Sequence, residues 1–242
     1  MDPSILRAEQ FGALGAAPQA FAESVARWTA GTPGRLLDVG SGSGEMLVAL
    51  SVGLRGWQLL GVDLSESNTA AARGLAEETA TPSQARFETA SYPFSDGHDR
   101  GRFDVILAQS VLHFLTAPDE DLLRSLGSDL SADGHLIATL PYDCAYNRVL
   151  WSLRRVLRLV RCGATDRLIE RTARLVHRDV APDLVRQRVI YMYLLPTRID
   201  GKRFRAAMKE WGGLLAVHEE NLPATSVAQL RHRLVVFAHA PS

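Results

Sequence analysis

The sequence predicts an α/β fold: a doubly wound, mainly parallel sheet of seven strands with helices on both faces. Three observations carry that prediction. Short apolar runs alternate with segments of helical spacing from residue 35 to residue 140. The first run feeds straight into three closely spaced glycines and then a helical segment. The composition, 46% hydrophobic and 22% charged over 242 residues, suits one large globular domain and excludes collagen-like, coiled-coil and disordered chains.

Residues 1–31 place Phe11, Leu14, Phe21, Val25 and Trp28 at helical spacing, and Gly31 and Pro33 end the segment. Arg35–Val39 reads as a strand, Glu45–Leu54 as a helix, Trp57–Asp63 as a strand and Ser67–Thr79 as a helix. Ala85–Glu88 is a short strand, Phe103–Gln109 a buried one, Asp119–Leu130 an amphipathic helix and His135–Leu140 a further strand. Strands separated by helices of this length pair in parallel, because the crossover returns the chain to the same edge. After Pro141 the pattern changes. Residues 146–178 read as two helices parted by Cys162 and Gly163, the first with an apolar stripe of Val149, Leu150, Leu153, Val156, Leu157 and Val160. That stripe predicts burial over the carboxyl edge of the sheet, since a two-helix insert is too small for its own core. Strand character returns at Leu214–Glu219 and Leu234–His239. The expected division is a helical cap (1–34), a core (35–144), a helical lid insert (145–208) and the last two strands (209–242), within one domain.

The formal net charge is zero at pH 7, but it is split along the chain. Residues 1–144 hold nine arginines against 19 acids, and residues 145–242 hold 18 basic residues against eight acids. A pI near 7.1 argues against a dedicated nucleic-acid binder. No apolar run approaches the roughly 20 residues that span a bilayer, so no stable membrane insertion is expected. The opening MDPSILRAEQ shows no basic region leading into a hydrophobic stretch, so no signal peptide is expected either. Cys144 and Cys162 make no disulfide framework, which points to a reducing cytoplasm.

Gly40, Gly42 and Gly44 stand between the first strand and its helix, interleaved with Ser41 and Ser43. Glycines there permit a sharp turn and close approach of a ligand to the backbone, beside the free N–H groups of a helix start. Asp63 ends the next strand, 23 residues beyond Gly40, where a carboxylate can accept both hydroxyls of an adenosine ribose. A dehydrogenase fingerprint needs a third glycine three positions after the second, and position 45 is Glu. Asp38 also precedes the first glycine by two residues. The stretch Leu-Leu-Asp-Val-Gly-Ser-Gly-Ser-Gly-Glu resembles motif I of the class I S-adenosylmethionine-dependent methyltransferases. The resemblance extends over residues 35–140. Asp63 resembles the family's ribose acid, Tyr92-Pro93-Phe94 its Leu-Pro-Phe, Phe103-Asp104-Val105 its fourth-strand opening and Val111-Leu112-His113-Phe114 its Leu-His-His stretch. Two departures stand out: Glu88-Thr89 where the family often has Asp-Ala, and Ala132-Asp133-Gly134-His135 in place of Lys-Pro-Gly-Gly.

The resemblance implies a Rossmann-like fold whose last strand is antiparallel. It also implies S-adenosylmethionine as cofactor, with S-adenosylhomocysteine as its product. The implied activity is methyl transfer to oxygen, nitrogen or carbon of a small-molecule acceptor, as in natural-product biosynthesis. The cofactor site it implies comprises Asp38, Gly40, Ser41, Gly42, Gly44, Asp63, Leu64, Glu88, Thr89, Gln109 and Ser110. Plainer readings stand beside some of these: Asp38 as a cap of the glycine turn, Glu88 as a solvated strand end. Asp104 reads as structural. Two other functions remain open, a non-methylating lyase or cyclase that uses the same sulfonium, and an NAD-type oxidoreductase, which the glycine spacing opposes.

Methyl transfer from a sulfonium disperses charge, so a dry, well-oriented pocket does most of the work. Any general base belongs at the carboxyl ends of the parallel strands. Gln109, Ser110, His113, Tyr142 and Asp143 fall there, and His113 is the best catalytic candidate. Its plainer reading is a histidine packed against the sheet. Tyr142, Tyr146, Trp151, Tyr191 and Tyr193 are candidates for the acceptor wall, or else ordinary hinge aromatics. From 145 to 190 there are 11 arginines against four acids, Arg154 and Arg155 among them. They read as a solvated helix face, as a site for an anionic acceptor, or as a basic face lying on anionic lipid. Histidine spacing offers no metal site. The expected partner is a small molecule, with no nucleic acid, and the chain is expected to act as a monomer or homodimer.

Overall fold

The computed structural model describes residues 16–29, 31–79, 85–176, 189–223 and 229–240. Phe11 and Leu14 therefore lie outside the described residues. Seven strands form one sheet: β1 (Arg35–Val39), β2 (Gln58–Asp63), β3 (Ala85–Thr89), β4 (Phe103–Ala108), β5 (Leu130–Pro141), β6 (Leu214–Asn221) and β7 (His232–His239). Their order across the sheet is β3-β2-β1-β4-β5-β7-β6. The pairs from β3 to β5 are parallel, and β7 runs antiparallel to both β5 and β6. The doubly wound, mainly parallel sheet expected from the sequence is present.

The strands alternate side chains between two cores. Leu36 and Val105 join the face covered by α1 (Ala16–Trp28), α2 (Glu45–Gly53) and α3 (Glu66–Glu78). Leu37 and Ile106 join the face covered by α4 (Asp119–Asp129) and α7 (Lys202–Gly212). Strand β5 begins earlier than expected, at Leu130. The Ser-Ala-Asp-Gly stretch at 131–134 hides that start in the sequence, but Leu130 pairs with Phe103 and a bulge separates it from the His135–Val105 pairing.

Helix α7 crosses residue 208, where the sequence places the end of the lid insert. Its apolar residues Phe204, Ala207, Met208 and Trp211 recur at i, i+3, i+4 and i+7, a helical pattern that a boundary drawn at 208 cuts in two. It packs on α4 through glycines: a Cβ at Gly127 would lie 2.1 Å from the Gly212 carbonyl oxygen. The insert itself consists of α5 (Ala145–Leu159), α6 (Gly163–Val176) and a 3₁₀ turn at Val189–Tyr193.

The face that α5 buries is a correction to the sequence reading. Leu150 is buried at 7% exposure and Arg154 at 6%, whereas Val149, Leu153 and Val156 are 71%, 47% and 56% exposed. The apolar stripe therefore faces outward, apart from Leu150 and the partly covered Leu157. Asn147 sets this rotation. Its amide donates to the carbonyls of Tyr142 (2.7 Å) and Arg231 (2.9 Å), and its oxygen accepts from Arg231 N at 2.8 Å. Three hydrogen bonds from one buried amide fix the helix on its polar side, because leaving such a group unpaired is costly.

Candidate active site

The carboxyl ends of β1, β2 and β4 meet where the sheet order reverses, between β1 and β4. The glycine turn sits there, and its three glycines serve three different needs. Each has a positive φ, which favours glycine. A Cβ at Gly40 would strike Val111 Cγ2 at 2.5 Å, so Gly40 lets the loop after β4 close over the turn. A Cβ at Gly44 would lie 2.7 Å from Ala72 Cβ and 2.9 Å from Phe87 Cζ, so Gly44 lets α2 start against α3 and β3. A Cβ at Gly42 would meet nothing within 4 Å. Only Gly42 is open toward a ligand.

The acids flank that opening. Asp63 accepts from Gly42 N through one oxygen (3.0 Å), and from Ser65 N (2.9 Å) and Asn68 Nδ2 (3.2 Å) through the other. These bonds fix the carboxylate at the tip of β2 and leave lone pairs for a hydroxyl ligand. Asp38, at 3% exposure, is pushed up to about 7 by burial and by the nearby Asp63 charge. The buried Ser41 hydroxyl has no hydrogen-bond partner among the described residues. Buried, unsatisfied polar groups of this kind are uncommon and mark the site as one that a polar ligand would complete.

The remaining predicted cofactor residues line the same edge. Leu64 is exposed just past Asp63. Thr89 shares a hydroxyl–hydroxyl hydrogen bond with Thr69 at 2.5 Å. Glu88 is held by Arg100 at 2.9 Å, and that guanidinium lies over the Phe94 ring. Ser110 takes a φ of 55°, and its backbone N donates to Thr139 Oγ1 at 2.7 Å. A non-glycine residue in this region costs about 1 kcal/mol or more, and it is sustained here by a bond to the buried Thr139. Gln109 is partly buried beside it. As expected, Asp104 is engaged away from this edge, accepting from Arg35 N (2.8 Å) and Ser131 Oγ (3.0 Å).

Next to this lies a second cluster. His113 is 1% exposed and is pushed down to about 3, first by burial and then by His232 and Arg154. Its ring lies 5.4 Å from that of His232, centroid to centroid. Its carbonyl is clamped by Thr197, whose N and Oγ1 donate at 2.8 and 2.9 Å. Arg198, also buried, donates to the carbonyls of Leu112 (3.0 Å) and Leu115 (2.6 Å) and to Asp119 at 2.7 Å. Arg154 reaches back from α5 to the Leu194 carbonyl at 3.2 Å. Trp151, a turn before Arg154 on the same face, has a buried Nε1 with no partner among the described residues.

The predicted aromatics are not gathered into one wall. Tyr146 lies under Arg231 and Tyr142 under Arg233, each at 4.8 Å. Tyr193 faces α6, its hydroxyl on Asp166 and its ring under Arg161. The Tyr191 side chain is outside the described residues. Asp143 is exposed and bound by Arg148 at 2.6 Å. Of the two arginines singled out in the sequence, Arg154 is buried and Arg155 is exposed.

His232, Thr197 and Arg198 escape a reading that searches only the ends of parallel strands. The signal for His232 was available: an antiparallel last strand brings its first residue, not its last, to the carboxyl edge. Thr197 and Arg198 carry no local signal.

Residues 37–136 match the family model of a methyltransferase domain. No curated protein matches the sequence. Among solved structures, PKMT2 from Rickettsia typhi in complex with AdoHcy superposes with a TM-score of 0.60 at 14% identity. The match covers 92% of this chain and 53% of that one, so the chain spans about half the length of that protein. The 1,6-didemethyltoxoflavin-N1-methyltransferase of Burkholderia thailandensis matches with a TM-score of 0.60 at 16% identity, over 98% and 84% of the two chains. Magnesium protoporphyrin IX methyltransferase from Synechocystis PCC 6803 gives 0.59 at 15%, over 92% and 83%. The fold is that of these methyltransferases. Residues 37–136 are thus the part of this chain that is similar to a methyltransferase domain.

Proposed function

We propose that the whole chain is an S-adenosylmethionine-dependent methyltransferase acting on a small molecule, as in natural-product biosynthesis. The observation that carries this reading is the open side of Gly42, flanked by the fixed Asp63 carboxylate, the raised Asp38 carboxyl and the unpartnered Ser41 hydroxyl. This donor and acceptor set fits the cofactor. Asp63 would take the ribose hydroxyls, the turn from Gly40 to Gly44 and Asp38 the amino-acid end, and Leu64, Glu88, Thr89, Gln109 and Ser110 the rest. When bound, the cofactor supplies a sulfonium-borne methyl group. The chain's own residues exclude water and orient the partners: Val111 closes on Gly40, and Thr197 with Arg198 hold the loop that carries His113. His113 belongs to the acceptor side, where its neutral imidazole receives a hydrogen bond or packs against the acceptor.

Calorimetry with S-adenosylhomocysteine and with NAD tests the reading. Asp63→Ala should weaken S-adenosylhomocysteine binding by at least about 1–3 kcal/mol, the cost of losing a charged acceptor. Tight NAD binding without a response to S-adenosylhomocysteine would overturn it. An acceptor that turns over without gaining mass would move the protein to the lyases or cyclases.

A further inference from the structure

The region between α5 and the carboxyl edge holds polar atoms that the cofactor site does not use. His113 comes from the loop after β4, and His232 opens β7, which pairs with Pro141 at the end of β5. The two histidines therefore meet across the end of β5, the strand between them. His232 Nδ1 lies 2.8 Å from the Leu230 carbonyl oxygen, which can only accept, so Nδ1 carries the proton. Its Nε2 is left with a lone pair. That Nε2 and His113 Nδ1 are both shut off from solvent and without a partner among the described residues. Arg154 lies close enough to act electrostatically on both rings.

We propose that His232 is the proton-accepting residue of the acceptor site, and that its Nε2 receives the proton of an acidic hydroxyl, phenolic or enolic, on the acceptor. This inference rests on the methyltransferase reading and names the acceptor class for it. Three features select that class. Burial keeps both imidazoles neutral, so Nε2 of His232 offers a lone pair, and a carboxylate brings no proton for it. An ammonium would place a second cation beside Arg154. A neutral hydroxyl supplies the missing proton, and the oxyanion left behind is stabilised by the Arg154 guanidinium. In the step, the acceptor O–H bond breaks, the proton bonds to Nε2, and the electron pair stays on oxygen as the nucleophile. Nothing is oxidised or reduced, and the imidazolium later returns its proton to water.

The Leu230 carbonyl favours the charged ring by accepting from Nδ1, whereas burial and Arg154 oppose it. Among the described residues, the charged or titratable groups facing His232 are His113 from the β4 loop and Arg154 from α5. Its chain neighbours Arg231 and Arg233 lie over Tyr146 and Tyr142. An ionised phenol beside the ring would reverse the balance and favour the imidazolium.

The probe is 4-nitrophenol, whose phenolate is yellow, titrated against pH with the full chain, with and without S-adenosylhomocysteine. The bound phenol should ionise at least about tenfold more readily than the free one, a midpoint about one pH unit lower. His232→Asn, whose amide can still donate to the Leu230 carbonyl, should bind the phenol with a midpoint raised toward that of free solution, the rest of the shift being that of Arg154. S-adenosylhomocysteine affinity should be the same in both proteins. A wild-type midpoint equal to that of free phenol, a His232→Asn midpoint equal to that of the wild type, or no phenol binding by the wild type would each overturn the proposal. A wild-type midpoint equal to that of free phenol overturns the proposal whether or not the variant folds, and His232→Gln serves as the second variant. Failure to bind S-adenosylhomocysteine sinks the methyltransferase reading instead, and the phenol titration without it still decides the role of His232.

Discussion

A carboxyl raised from 3.8 to about 7 makes Asp38 a source of pH dependence. Between those values the folded chain holds a proton that the unfolded chain has released, so stability falls as pH rises through that window. At 1.36 kcal/mol per unit, the full cost above pH 7 is on the order of 4 kcal/mol. Asp38→Asn should remove this slope. The variant should be more stable than wild type above about pH 7 and level with it near about pH 4, as read by urea denaturation across pH. Ligand binding should run the other way. S-adenosylmethionine is cationic, so its affinity for the wild type should rise as Asp38 ionises and stay flat with pH in Asp38→Asn; a flat wild-type profile would remove Asp38 from the site. The glycines separate in the same manner. Gly44→Ala adds a contact of 2.7 Å to Ala72 at a φ of 83°, and should cost about 2–4 kcal/mol from overpacking and left-handed strain together. A Cβ at Gly42 would meet no neighbour within 4 Å, so Gly42→Val should cost the left-handed strain of a φ of 55°, about 1–2 kcal/mol, and abolish S-adenosylhomocysteine binding in calorimetry.

Helix α5 shows where local pattern and tertiary structure part. Its apolar stripe is real, yet the buried face is the one with Asn147, Leu150 and Arg154. The deciding bonds join Asn147 to Arg231, 84 residues away, and no periodicity in a window of 15 residues reports such a partner. The glycine turn is the opposite case. Strand, turn, helix and Asp63 are all local, so motif and geometry agree. Helix α7 was legible too, in Phe204, Ala207, Met208 and Trp211, but its glycine contact with α4 leaves no periodic signal. Substitutions on α5 test the observed rotation. Leu150→Ala should destabilise by about 2–5 kcal/mol, the range for a buried leucine. Val156→Ala should stay within about 0.5 kcal/mol, as exposed positions do. Arg155→Ala should match Val156→Ala, whereas Arg154→Ala should loosen the turn at Leu194 and lower the denaturation midpoint. Equal effects of Leu150→Ala and Val156→Ala would mean that the stripe is buried after all.

Across the whole molecule, the carboxyl edge is assembled from parts far apart in the chain. The glycine turn comes from the first crossover, His113 from the loop after β4, and His232 from the reversed last strand. The return segment from the insert is laid over them: Thr197 bonds to His113, Arg198 to the carbonyls of Leu112 and Leu115, and Asp200 N to Pro141 O at 2.7 Å. Asp200 in turn pairs with Arg205 at 2.7 Å and Arg233 at 3.2 Å, tying α7 and β7 to the same edge. The insert is therefore latched to the sheet through the loop that the acceptor would touch. Arg198 is the centre of that latch, because a buried guanidinium with several acceptors leaves all of them unpaired when it is removed. Arg198→Met keeps the length and apolar stem but deletes the donors. It should destabilise by about 3 kcal/mol or more, and most of the loss should be local. Amide hydrogen exchange in residues 111–117 should quicken at least about tenfold, while β1 and β2 keep their protection. S-adenosylhomocysteine should still bind, since the Gly42 opening and Asp63 take no bond from the latch. Uniform loss of protection across β1, β2 and the loop would mean that the latch holds the whole sheet and that the acceptor loop has no separate hinge.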